Sequence, residues 1–168
     1  MRMIAVVVAA LLAVPAVGQE SLKPGPEHAN LKAREGTWDL VMKFGDTESK
    51  GTITYKMEIG GLWLVSSMDS ELFGQKFSGK GLDTYDPAKK KYVSVWVDSM
   101  SAGPVLTEGT YDKDKKTLTM SGPGPGHDGP ATKYKSVSVM KDDDTEVMSM
   151  TMGDAKEPTF TITYKRKK

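Results

Sequence analysis

The chain has 168 residues, no cysteine, two histidines, and 23 basic against 22 acidic residues. Near-zero net charge excludes electrostatic recruitment of nucleic acid or anionic lipid, and the lack of cysteine excludes a disulfide framework and thiol chemistry. A length of this order supports one domain with its own core.

The chain opens MRMIAVVVAALLAVPAVGQE: one arginine, an apolar run from Met3 to Val14, Pro15, then small residues at Ala16 and Gly18. About a dozen apolar residues are too few for a membrane span of ~20 and have the pattern of a secretory signal peptide. Residues 1–18 are therefore expected to be cleaved, which predicts a secreted or periplasmic protein with no membrane span after cleavage. Without Arg2 the mature chain carries 22 basic and 22 acidic residues.

Residues 19–36 form an N-terminal segment. It holds the turn Lys23-Pro24-Gly25-Pro26 and one short helix, predicted over Glu27 to Glu35, whose apolar content (Ala29, Leu31, Ala33) suits a lid or plug. Residues 37–168 are predicted to be a single barrel domain. Period-two alternation recurs there, with turn chemistry about every 8 to 12 residues. Strands are predicted at 37–44, 50–59, 62–72, 76–86, 91–99, 105–112, 117–121, 132–141, 145–152 and 159–166. The fold class is thus all-β: an antiparallel up-and-down meander barrel of about 8 to 10 strands with one short N-terminal helix.

Turns set registers. Gly60-Gly61, read as a two-residue loop, places Ile59 opposite Leu62, Met57 opposite Leu64, Tyr55 opposite Ser66 and Ile53 opposite Met68 on an apolar inner face. Gly74-Gln75 as the next turn pairs Leu72 with Phe77, Ser70 with Gly79, Met68 with Gly81 and, outside, Asp69 with Lys80. Carried through Asp86 to Lys91, the parity puts Tyr85 opposite Tyr92, Asp83 opposite Ser94 and Gly81 opposite Trp96. In the stretch YVSVWVDSM, then, Trp96 and Asp98 face in, while Val93, Val95 and Val97 face out. A four-residue loop Ser101 to Pro104 places Asp98 opposite Thr107, Trp96 opposite Gly109 and Ser94 opposite Tyr111, with a glycine on each side of the indole. The outer valines, with Trp63, read as half-exposed β-branched residues or as the contact of a homodimer.

The runs GPEHANL, GTWDL, GTITYKMEIGG, GQKFSGKGLDTYDPAKKKYVSVWVDSMSAG, EGTYD and ITYKRK carry a resemblance. Over nearly all of the mature chain they resemble the bacterial domain-of-unknown-function family 1579. The resemblance implies an exported protein with a calycin/lipocalin-like β-barrel, and implies no activity. Gly36-Thr37-Trp38 also resembles the G-x-W opening of lipocalins and nitrobindin-like haem barrels.

The expected lumen has an apolar part (Trp38, Leu40, Met42, Phe44, Ile53, Met57, Phe160, Ile162) and a polar part (Asp83, Ser94, Asp98, Thr107, with Tyr55, Tyr85, Tyr92, Tyr111 and Tyr164). That mixture suits a small apolar or amphipathic molecule. The candidate ligand-binding residues are Trp96, Asp98, Trp38, Tyr55, Ser94, Thr107 and Tyr111, with Asp98 the anchor for a donor group. Two other classes stay open: an enzyme of unrecognised type using Asp98 with a neighbouring tyrosine and Asp83 as second acid, and a structural or dimerising envelope protein with a filled barrel. His28 and His127 both fall outside the strands, which argues against a Ser-His-Asp triad, a haem ligand or a zinc site, so no cofactor and no metal is expected. Met148-Ser149-Met150-Thr151-Met152 sets three thioethers on one strand face; adaptable core packing is preferred over a Cu(I) site. The Gly/Pro-rich loop Gly122 to Pro130 reads as a surface excursion or as a flap over the mouth.

Overall fold

The computed structural model describes residues 22–126 and 129–168. A five-residue helix α1 (His28–Lys32) precedes ten strands: β1 (Gly36–Phe44), β2 (Thr47–Glu58), β3 (Trp63–Leu72), β4 (Gln75–Asp86), β5 (Lys91–Asp98), β6 (Val105–Asp112), β7 (Thr117–Gly124), β8 (Thr132–Asp142), β9 (Thr145–Met152) and β10 (Phe160–Arg166). Each strand pairs antiparallel with its sequence neighbour, and β10 pairs with β1, closing a meander barrel with no free edge. The predicted strands are all present. The helix is shorter than expected, because Arg34 and Glu35 leave the α-helical pattern and donate instead to the carbonyls of Leu31 and Lys32.

Alternation decides what fills the barrel. Trp38, Leu40, Met42, Ile53, Tyr55, Leu64, Met68, Ile162 and Tyr164 all point inward from β1, β2, β3 and β10 and are buried. α1 lies across one end, its Leu31 sunk into this core. So short a helix is marginal alone, and its burial holds it. Arg166, at the end of β10, locks that end. Its guanidinium lies 4.1 Å over the Trp38 ring and donates to the carbonyls of Ala33 (2.7 Å) and Glu35.

Three reversals differ from the expected pairings. Between β2 and β3, Met57 does face Leu64, but Ile59, Gly60 and Gly61 form a 3₁₀ turn with positive φ at all three, which leaves Ile59 62% exposed rather than inside. Between β3 and β4 the turn residues are Phe73 and Gly74, with φ of 52° and 77°, as a type I′ hairpin requires. Leu72 therefore faces Gln75, Ser70 faces Phe77, Met68 faces Gly79 and Asp69 faces Ser78, a register two residues from the expected one. A phenylalanine tolerates this conformation because its ring packs 5.2 Å from Phe44, which in turn lies 5.0 Å from Phe160. Between β5 and β6 the connection is longer than four residues, and Trp96 faces Val105, Ser94 faces Thr107 and Tyr92 faces Gly109. The cause is Asp98, whose carboxylate accepts the Met100 amide (2.9 Å) and turns the chain out of the ladder. The pairing of β4 with β5 is as expected, with Gly81 opposite Trp96 and Asp83 opposite Ser94.

Candidate functional site

The ends of the barrel differ. At the α1 end, Arg34 enters the lumen from the segment between helix and barrel. Its Nε and Nη2 donate to the two carboxylate oxygens of Glu146 at 2.9 and 3.0 Å, and Nη2 also donates to the Tyr55 hydroxyl at 3.0 Å. Glu146, the second residue of β9, is 4% exposed. Tyr164 and Asp83 lie around the same group. Burial raises the Asp83 carboxyl above its ordinary range, only partly opposed by Arg34 and Ser94. Burial likewise raises Tyr55 and Tyr164. For Arg34, burial lowers the pKa, and Glu146 followed by Tyr55, Asp83 and Tyr164 turns the net shift upward, so the guanidinium stays charged.

Beside this cluster is a cavity of about 80 Å³ lined by Asn30, Leu31 and Arg34 from the α1 segment and by Tyr92, Tyr111, Leu118, Met140 and Glu146 from the strands, with Lys116 also on its wall. Tyr92 is fixed there, since its hydroxyl donates to the Glu27 carbonyl (3.0 Å) and accepts from Asn30 Nδ2 (2.8 Å). His28, Tyr85, Tyr92 and Tyr111 form a chain of edge-to-face rings under the helix.

At the opposite end Trp96 faces the lumen, part-buried. Room for its ring comes from β4: a Cβ on Gly79 would lie 2.2 Å from Trp96 Cζ2, and one on Gly81 would lie 3.3 Å from Cε3. One glycine beside the indole is the expected Gly81. The other is Gly79 of the same strand, not Gly109. The indole Nε1 donates to Asp98 Oδ2 at 2.9 Å. The inward residues of β8, β9 and β10 (Tyr134, Ser136, Met148, Met150, Met152 and Phe160) are likewise only part-buried, although register aims them at the barrel axis.

The candidate residues thus fall into three groups. Trp96 and Asp98 are bonded to each other at the open end, where Asp98 already accepts from the indole and from the Met100 amide. Ser94 and Thr107 lie directly opposite each other on the β5–β6 wall, and Tyr111 lies on the wall of the cavity at the α1 end. Trp38 and Tyr55 are buried at the α1 end, Trp38 only 1% exposed, its indole donating to the Arg34 carbonyl at 2.9 Å. Asp83 does not join Asp98. It lies four residues further along β4 than Gly79, the partner of Asp98, so the two carboxylates are ~13 Å apart at the usual strand rise, beyond the range of the usual two-carboxylate mechanisms. His127 and the tip of its loop lie outside the described residues, whereas Gly122 to Gly124, expected in that loop, extend β7. Among the described residues no group of three His, Cys, Asp or Glu is placed to hold a metal, and no helix is long and apolar enough to cross a membrane.

Fold and interior together define a closed ten-stranded antiparallel β-barrel, plugged at one end by a helix and an ion pair. The family model of proteins of unknown function DUF1579 matches residues 23–166, and the chain belongs to that family. No curated protein matches the chain. Among solved structures it is similar to a redesigned beta barrel (16% identity over 83% of this chain and 96% of that one, TM-score 0.46). It is also similar to the redesigned beta barrel mFAP1 bound to DFHBI (15% identity over 82% and 98%, TM-score 0.46).

Proposed function

We propose that this protein is an exported barrel that holds a small apolar or amphipathic molecule in its lumen. The observation that carries the reading is the contrast between the walls. Inward residues of β1, β2 and β3 are largely buried by one another, whereas Trp96, Met148, Met150, Met152 and Phe160, which also point inward, keep part of their surface uncovered. An indole and several thioethers make a polarizable, adaptable surface on which an apolar body can pack. Export is supported by the pattern of residues 1–18.

Two measurements test the reading. Protein purified from its own host is expected to begin at Gln19 and to carry a retained small molecule in native mass spectrometry. A neutral apolar fluorophore is expected to bind the mature protein saturably, and Met150→Trp, a larger ring at an inward position of β9, is expected to abolish binding while leaving the fold intact by circular dichroism. Absence of both retained molecule and dye binding would show a filled, structural barrel and overturn the proposal.

A further inference from the structure

The cavity at the α1 end has a polarity that selects its occupant. Arg34 donates through Nε and Nη2, and its Nη1 makes no hydrogen bond among the described residues. The Tyr111 hydroxyl, on the same cavity wall, also has no partner there. Lys116 is held at that wall by two backbone bonds, its amide to the Lys113 carbonyl (3.3 Å) and its carbonyl to the Met140 amide (3.0 Å). The carboxylate that faces these groups, Glu146, has both oxygens engaged by Arg34. The lining therefore offers unfilled donors, and its charged side chains are Arg34, Lys116 and Glu146, two basic and one acidic. Leu31, Leu118 and Met140 supply an apolar surface beside them.

We infer that this cavity binds an alkyl monocarboxylate, its carboxylate accepting from Arg34 Nη1 and the Tyr111 hydroxyl and its first carbons lying on Leu118 and Met140. Each ligand oxygen gains a charged or phenolic donor. The volume of about 80 Å³ admits a few water-sized groups, which is room for a carboxylate with two or three carbons and not for a whole lipid. The acid can come from two sources. A short free acid would be contained in the cavity, and a long-chain acid would leave its tail along Ser138 and Met148 toward Trp96. This inference rests on the lumen reading and gives its ligand a head group.

The test is isothermal titration of the mature protein with hexanoate and with hexanol, repeated with butyrate and hexadecanoate. The acid is expected to bind at least ~10-fold more tightly than the alcohol, the ratio set by one charge-assisted hydrogen bond. Arg34→Met with Glu146→Met removes the donor without leaving a lone buried charge, and it is expected to erase the acid preference while keeping the neutral fluorophore. Tyr111→Phe is expected to weaken the acid alone. Tighter binding of butyrate would identify the short free acid, and tighter binding of hexadecanoate the long-chain source. Equal affinity for acid and alcohol, or an acid preference that survives in the double variant, overturns the inference. If the fluorophore still binds in that case, the lumen reading stands; if neither probe binds, both fail.

Discussion

Gly79→Ala puts one methyl group where the barrel has no space for it, and the consequence is calculable. The added Cβ would lie 2.2 Å from Trp96 Cζ2 and 2.7 Å from Cη2, against 3.4 Å for ordinary contact, so the ring must retreat by about 1.2 Å or the strands must part. Overpacking of this kind costs roughly 1–3 kcal/mol. A ring displaced that far also loses the 2.9 Å bond from Nε1 to the Asp98 carboxylate, of a class worth about 1.5–3 kcal/mol net. Because the relaxed ring recovers part of each, a total of ~3 kcal/mol is expected. For a chain of this size that corresponds to a fall in Tm of ~6–12 °C. Urea denaturation gives the energy, and the indole N–H region of a ¹⁵N correlation spectrum gives the cause. Of the three tryptophan signals, only that of Trp96 should shift strongly. Trp96→Leu in the same background should restore most of the loss. A stability change below about 0.5 kcal/mol with all three indole signals in place would refute the placement of this ring between β4 and the lumen.

The ion pair at the α1 end and the part-buried Asp83 give two further expectations. Glu146→Ala strands the Arg34 guanidinium in the barrel and should cost ~3–5 kcal/mol in denaturant unfolding, whereas Arg34→Met with Glu146→Met should return stability to within about 1–2 kcal/mol of wild type. Asp83 supplies the pH dependence. Its folded pKa is raised above the 3.8 of the free carboxyl, so the folded state holds the proton more tightly than the unfolded state. The associated stability is fully present below pH ~3.8 and is lost as pH rises through the folded value. Asp83→Asn should therefore flatten the decline of Tm between pH ~4 and neutrality, and an identical slope in variant and wild type would show that Asp83 is solvated.

Within the strands, which side of the barrel a residue occupies is legible in the sequence even where its partner is not; Ile59, in a turn, is the exception. The β3–β4 register differs from expectation by two residues and the β5–β6 register by four. Side chains alternate with period two, so an even slip moves a residue along the strand and never through it. Trp96 and Asp98 keep the inner side for that reason. The slips themselves have no local signature. Nothing in Phe73 advertises a left-handed backbone; it is adopted because the ring meets Phe44, which arrives from a strand distant in sequence and packs in turn on Phe160. Asp98 ends its strand by binding both a neighbouring indole and the Met100 amide, a choice that exists only once the indole faces in.

The polar end of the lumen divides along the same line. Parity from Met148, Met150 and Met152 carries back to Glu146, so the sequence does place a carboxylate inside the barrel, and a carboxylate so enclosed requires a cation or its own proton. The inward positions of the ten strands supply one basic residue, Arg166, and that side chain is spent on the Trp38 ring and the carbonyls of Ala33 and Glu35. The remaining cation must come from outside the strands and must reach the end of the barrel where β9 begins. The segment that crosses this end holds Lys32 and Arg34, and only the latter lies beyond the helix, where the chain turns toward the Gly36–Trp38 entrance. Periodicity cannot identify it, because a one-turn helix followed by two tight turns has no period. An unpartnered inward acid can, and the partner it demands is the residue on which both the plug and the unfilled donors of the cavity depend.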